Sequence, residues 1–140
     1  MASDSQMPAF NFETLPRIKK ILVVEDEEDN SRLLELLFRN SGAELLLAIN
    51  GHQAIKMVQD DPSIDLVLMD LRLPLMDGFE ATRRICEIRP GLVVIAQTAY
   101  AHQSDIIKAI QAGCKDVIVK PLSKAKLRGL IDKVEKHEHE

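Results

Sequence analysis

Aromatic side chains are scarce in this sequence: of 140 residues none is Trp, one is Tyr and four are Phe. A core must therefore be assembled from Leu, Ile, Val and Ala, without the large rings that anchor many small domains. Cysteine is nearly absent too. The two present, Cys86 and Cys114, fit no metal-ligand spacing and make no disulfide framework, so both read as small apolar residues in a reducing compartment. Positive charge is not in excess, with 18 Lys and Arg against 22 Asp and Glu, a net charge of −4. Together with the lack of a basic stripe with interleaved aromatics, this argues against a partner that is nucleic acid or an anionic membrane. No apolar run approaches the roughly 20 residues of a membrane span. The N-terminus also lacks the basic and apolar regions of a signal peptide. The expected location is the cytoplasm.

What is present is regular. The length suits one domain with a proper core. Residues 1–18 read as an extension or linker, with Ser, Asp, Gln and Asn, the aromatic Phe10 and Phe12, and Pro8 and Pro16. Residues 19–136 form the domain and 137–140 a tail. Within the domain, short apolar runs at Ile21–Val24, Leu45–Ala48, Leu66–Met69, Val93–Ala96 and Val117–Val119 alternate with amphipathic stretches. The runs are nearly continuous in Val, Ile and Leu, which predicts strands buried on both faces of a parallel sheet.

The stretches between them repeat at helical spacing, with stripes at Leu33, Leu34, Leu37 and Phe38; at Ala54, Ile55 and Val58; and at Phe79, Thr82, Ile85 and Cys86. Two further stripes are Ile106, Ile107 and Ile110, and Leu127, Leu130, Ile131 and Val134. Gly42 and Gly113 stand where the first and fourth helices should stop in left-handed caps. Ser123 is a candidate N-cap for the last helix. Strands and helices alternating in this way predict an α/β fold, a (βα)₅ chain with right-handed crossovers.

The polar residues gather at one end of these strands. Glu25 and Asp26 follow the first, Asp70 the third, Thr98 the fourth, and Lys120 with Pro121 the fifth. Open α/β sheets bind ligands outside the carboxyl ends of their strands, so one edge collects the candidate chemistry. Glu25, Asp26 and Asp70 together are unfavourable without a cation, and an all-oxygen donor set with room for water suits Mg²⁺. A hard cation there leaves one carboxylate as nucleophile towards a phosphoryl group, with the Thr98 hydroxyl and the Lys120 ammonium suited to phosphoryl oxygens.

The segments ILVVEDEEDN, DLVLMDLRLPLMDGFEATRRI, VVIAQTAYA and DVIVKPL resemble the response-regulator receiver domain of two-component signalling. The resemblance covers about Lys19 to Val134, and QTAYA and DEEDN resemble receivers fused to hybrid sensor kinases. It implies a flavodoxin-like three-layer sandwich with a five-stranded parallel sheet in the order 2-1-3-4-5. It implies Asp70 as phosphoacceptor, and Glu25, Asp26, Asp70 and the backbone carbonyl of Arg72 as Mg²⁺ ligands. Thr98 and Lys120 would contact the phosphoryl group, with Thr98 and Tyr100 as switch residues and Pro121 following a cis peptide. Pro74 and Gly78 shape the loop over the site, and Asp77 opens the third helix. The implied partners are a histidine kinase or a histidine phosphotransfer domain, and a homodimer through the surface of the fourth helix, fifth strand and fifth helix. Catalysis is limited to the domain's own phosphorylation and slow dephosphorylation.

Blander readings stand beside these. Asp26 could cap a helix, Lys120 could be a solvated loop residue, Thr98 a simple β-branched strand residue, and Tyr100 a packing aromatic in every state. His137 and His139 read as an exposed terminus rather than a metal tail, and the acidic run Glu25–Asp29 lacks the pattern of a calcium loop. A small Mg²⁺-dependent phosphatase on a similar sheet would share the aspartate nucleophile. Such an enzyme places a general-acid Asp two residues on, where this chain has Arg72. A phosphorelay intermediate without output switching, or a degenerate receiver that only binds a partner, completes the alternatives; the second would have lost the acidic pair, acceptor or lysine.

Overall fold

A computed structural model describes residues 18–138, with side chains through Val134. Residues 1–17 of the extension and the two tail histidines therefore lie outside the described side chains. Among the described residues the order is β1 (Lys20–Val24), α1 (Glu28–Leu37), β2 (Glu44–Ala48), α2 (Gly51–Asp60), β3 (Leu66–Asp70), α3 (Gly78–Ile88), β4 (Val93–Thr98), α4 (Gln103–Ala112), β5 (Asp116–Val119) and α5 (Lys124–Glu138). The strands form one parallel sheet in the order β2-β1-β3-β4-β5, as the alternation and the resemblance predicted. Among the described residues no helix is long and apolar enough to cross a membrane.

Side chains alternate across each strand, so the apolar runs feed two cores. One face, with Leu22, Val24, Val67, Met69, Val94 and Ala96, packs under α2, α3 and α4. The other, with Ile21, Val23, Leu66, Leu68, Ile95 and Ile118, packs under α1 and α5. Each fully buried aliphatic side chain contributes roughly 1.5–3 kcal/mol relative to an exposed one. Ile18, placed by the sequence in the extension, is buried in the second cluster.

Three expectations need correction. The central strands β1, β3 and β4 are buried, but the edge strands β2 and β5 are only partly covered, and Leu47 is among the exposed apolar residues. An edge strand has a neighbour on one side only, so its outer side chains lose half their cover. The α4 stripe is different too: Ile107 and Ile110 are exposed, while Ala109 and Ala112 face the core. Finally, α1 stops at Leu37, ahead of Gly42, and Asn40 (φ 65°) precedes Gly42 (φ 86°) in the turn. Gly113 does close α4, at φ 122°.

Candidate functional site

The ladder itself delivers the acidic residues to one edge. The Glu25 N–H donates to the Ala48 carbonyl at 2.9 Å, extending the β1–β2 pairing so that Glu25 is held buried above Val24. Asp70 is the buried last residue of β3. Lys120 follows β5, its N–H donating to the Thr98 carbonyl at 2.8 Å, and its peptide bond to Pro121 is cis as expected. From there the Lys120 Nζ reaches back over the sheet, donating to Glu25 Oε1 at 2.9 Å and to Asp70 Oδ2 at 3.3 Å. The remaining oxygens are also engaged: Glu25 Oε2 accepts from the Glu27 N–H at 3.2 Å, and Asp70 Oδ1 from the Arg72 N–H at 3.0 Å.

Carboxylate oxygens of Glu25, Asp26 and Asp70 lie within 4.8 Å of one another, with Asp26 exposed at the mouth. Burial pushes the Glu25 carboxyl above its ordinary value, the bond from Lys120 opposes that, and the Asp70 charge adds to it. For Lys120 burial disfavours the ammonium, but the pairing with Glu25 and Asp70 outweighs it and its pKa is raised. Three carboxylates against one ammonium leave the cluster net negative. All of its donors are oxygens and one side is open, so the set fits a hard divalent ion that keeps some of its waters.

The loop over Asp70 is fixed by its ends. Asp77 caps α3, accepting from the Glu80 N–H at 2.9 Å, and the Gly78 N–H donates to the Leu71 carbonyl at 3.1 Å. A Cβ at Gly78 would collide with the Asp70 carbonyl oxygen and lie 2.7 Å from the Leu71 Cα. Glycine is thus what lets the start of α3 rest on the backbone of the acceptor position. On the other side, the buried Thr98 hydroxyl donates to the Tyr100 carbonyl at 3.1 Å and accepts from the Tyr100 N–H at 3.3 Å. The Tyr100 ring is exposed and stacked on His102, with centroids 6.4 Å apart. Between the two loops opens a groove of about 480 Å³ with Leu71, Leu73 and Phe79 as its apolar lining and Arg72, Asp77, Asp105 and Lys108 as its charged groups.

Residues 21–132 match the response regulator receiver domain. The chain belongs to that family. The transcriptional regulatory protein ZraR of Escherichia coli (strain K12) is 34% identical over 119 residues, which are 85% of this chain and 27% of ZraR. This chain thus spans about a quarter of that relative's length. The receiver domain of sensor histidine kinase PA1611 from Pseudomonas aeruginosa PAO1, solved with a magnesium ion coordinated in its active site cleft, is 35% identical with a TM-score of 0.76. The match covers 85% of this chain and 98% of that one. A chain from the co-crystal of the Saccharomyces cerevisiae histidine phosphotransfer protein Ypd1 with the receiver domain of Ssk1 is 27% identical. Its TM-score is 0.79, over 87% of this chain and 92% of that one.

The receiver fold brings Glu25, Asp26, Asp70 and Lys120 together, and sets Thr98 and Gly78 against the same edge. Tyr100 is the residue it holds apart, ring outward, touching the site only through its main chain. Two contributors escaped the sequence reading. Lys126 on α5 donates to the carbonyls of Val119 at 2.8 Å and Pro121 at 3.0 Å, steadying the turn that carries Lys120. Gln97 is fully buried beside Asp70; its signal was a lone amide within the otherwise apolar start of VVIAQT.

Proposed function

We propose that this receiver accepts a phosphoryl group on Asp70 from a phosphohistidine of a histidine kinase or a histidine phosphotransfer domain. The observation that carries the reading is the Lys120 ammonium held between the buried carboxylates of Glu25 and Asp70, at the carboxyl edge of the sheet. In the transfer, an Asp70 carboxylate oxygen attacks phosphorus and the P–N bond of the donor breaks. The electron pair stays on the imidazole nitrogen, which takes a proton from solvent. Arg72 N–H fixes one Asp70 oxygen, so the other is aimed outward with its lone pairs free except for Lys120. Glu25, Asp26, Asp70 and the Arg72 carbonyl would hold Mg²⁺, which when bound neutralises phosphoryl charge.

Lys120 then exchanges Asp70 for the phosphoryl oxygens, and the Thr98 hydroxyl turns from the Tyr100 main chain to the same group. That turn releases both bonds holding the Ala99–Tyr100 corner, so α4 can shift and Tyr100 with it. The surface that changes carries exposed Ile107 and Ile110 on α4 and Val119 on β5, apolar residues suited to a partner or a second copy. In this reading the receiver spans 19–136, the extension 1–18 and the tail 137–140. Support for the donor class comes from the receiver of Ssk1 in complex with Ypd1, and for the metal from the PA1611 receiver.

The test is intact mass after incubation with acetyl phosphate and Mg²⁺. Wild type should gain one phosphoryl group and Asp70→Asn none. Equal modification of the two proteins removes Asp70 as the acceptor.

A further inference from the structure

Gln97 is a polar side chain that the phosphoryl site leaves unused. It lies in β4 one residue before Thr98 and is fully buried. Because faces alternate along a strand, it shares the face of Ile95, the one covered by α1 and α5. Its register neighbours are Asp70 in β3 and Ile118 in β5. The amide therefore sits at the boundary between the apolar floor of Ile95 and Ile118 and the charged pair of Asp70 and Lys120.

Among the described residues neither the Oε1 nor the Nε2 of Gln97 has a hydrogen-bond partner. A buried polar group left in that condition costs on the order of 1–3 kcal/mol. Leu or Met would fill a similar volume without the cost. Such a cost, sustained beside a reacting group, is accounted for when another state of the site supplies the partners.

The Asp70–Lys120 pair is where those partners arise. In this structure Lys120 lies closer to Glu25, at 2.9 Å, than to Asp70, at 3.3 Å, so the contact with Asp70 is the looser of its two. Phosphoryl oxygens on Asp70 would draw the ammonium outward and leave the Asp70 carboxyl with one donor fewer, only the Arg72 N–H remaining. We infer that Gln97 is a positioning residue for phosphoryl transfer, whose side-chain N–H₂ donates to the Asp70 carboxyl oxygen left unphosphorylated, once Lys120 has turned to the phosphoryl group. The inference rests on Asp70 being the acceptor. A neutral amide suits that role, because it holds the carboxyl in place without competing with Lys120 for the phosphoryl charge.

The experiment uses beryllofluoride with Mg²⁺ as the stand-in for the phosphoryl group. First, the side-chain amide signals of Gln97 are followed by NMR in wild type, where they should shift and exchange more slowly with solvent on addition. Second, melting temperatures of wild type and Gln97→Leu are measured with and without the ligand. Gln97→Leu should melt higher than wild type when free, because an unpartnered amide is gone, but gain clearly less from beryllofluoride. Unmoved Gln97 signals alongside shifted Thr98 and Lys120 signals overturn the inference while leaving Asp70 as acceptor. An equal ligand-induced gain in both proteins does the same. No gain in wild type refutes the acceptor reading itself, and the role of Gln97 with it. Should Gln97→Leu fail to fold, the wild-type spectrum decides alone.

Discussion

Gly78 is where the site depends most directly on bare backbone. A methyl placed there would strike the Asp70 carbonyl oxygen and come within 2.7 Å of the Leu71 Cα and 3.1 Å of the Asp70 carbonyl carbon. All three are main-chain atoms, so no change of rotamer relieves the clash. Either the start of α3 lifts away, stretching the 3.1 Å bond from Gly78 N–H to the Leu71 carbonyl, or the end of β3 moves. Overpacking of this kind costs about 3 kcal/mol, the upper end of the usual range, because the obstacle is rigid. With a urea dependence of ~1.5 kcal/mol per molar, Gly78→Ala should lower the unfolding midpoint by ~2 M. The acceptor is displaced by the same motion, and a shift approaching ~1 Å can slow a positioned reaction by ~100-fold. Gly91→Ala is the control, since a Cβ there meets nothing within 4 Å. Urea unfolding and the rate of phosphorylation by acetyl phosphate are measured on all three proteins. If Gly78→Ala matches Gly91→Ala in both, the close packing of α3 on the acceptor is not what makes glycine necessary.

Three other outcomes are expected. The Asp61 carboxyl is held down at about 2 by Ser63 and then by Lys20, against an ordinary 3.8, so its contribution to stability is present above the ordinary value and lost as pH falls through the lower one. Asp61→Asn should therefore melt below wild type at neutral pH, with the gap closing on acidification towards about 2; a gap independent of pH refutes the assignment. Arg72→Met should leave Mg²⁺ affinity unchanged, because the main chain of Arg72 is what meets the site, yet alter the lifetime of the aspartyl phosphate through the lost cation at the groove rim; identical dephosphorylation rates remove the side chain from the chemistry. Thr98→Ala should still be phosphorylated, but NMR shifts over residues 100–112 on adding beryllofluoride should shrink, and undiminished shifts would mean that the hydroxyl does not couple the site to α4.

The strand ends were legible because two independent constraints coincide there. Central strands of a parallel sheet read as apolar runs, so the first charged residue after each run marks where the strand leaves the core. Glu25, Asp70 and Lys120 announced themselves in that way. The α4 face was not legible, since Ile106, Ile107 and Ile110 have the helical period and outweigh Ala109 and Ala112 on any scale of hydrophobicity. Yet Ala109 and Ala112 are the buried pair, and small side chains let a helix sit close to what it covers. The side of the chain on which Tyr100 lies was equally hidden. A tyrosine just past a strand is amphipathic enough for either environment, and the short-range bonds between Thr98 and its main chain set its backbone without fixing its ring.

What pattern reading cannot supply is the charge balance, and the receiver's behaviour follows from it. Lys120 satisfies two buried carboxylates at once, so the site is stable without any ligand only as long as this one ammonium stays in place. Anything that takes over Glu25 and Asp70 leaves Lys120 half-buried and short of a partner, which is costly. A phosphoryl group restores that partner. Cation and phosphoryl group should each therefore favour the other, because each repairs the imbalance that the other makes. The coupling resides in a single side chain, whose turn is steadied from behind by Lys126 on α5. In the proposed reading, a change of charge at Asp70 would be felt at α5 through Lys120 and the Val119 and Pro121 carbonyls that Lys126 holds, and at α4 through Thr98 and the Tyr100 main chain.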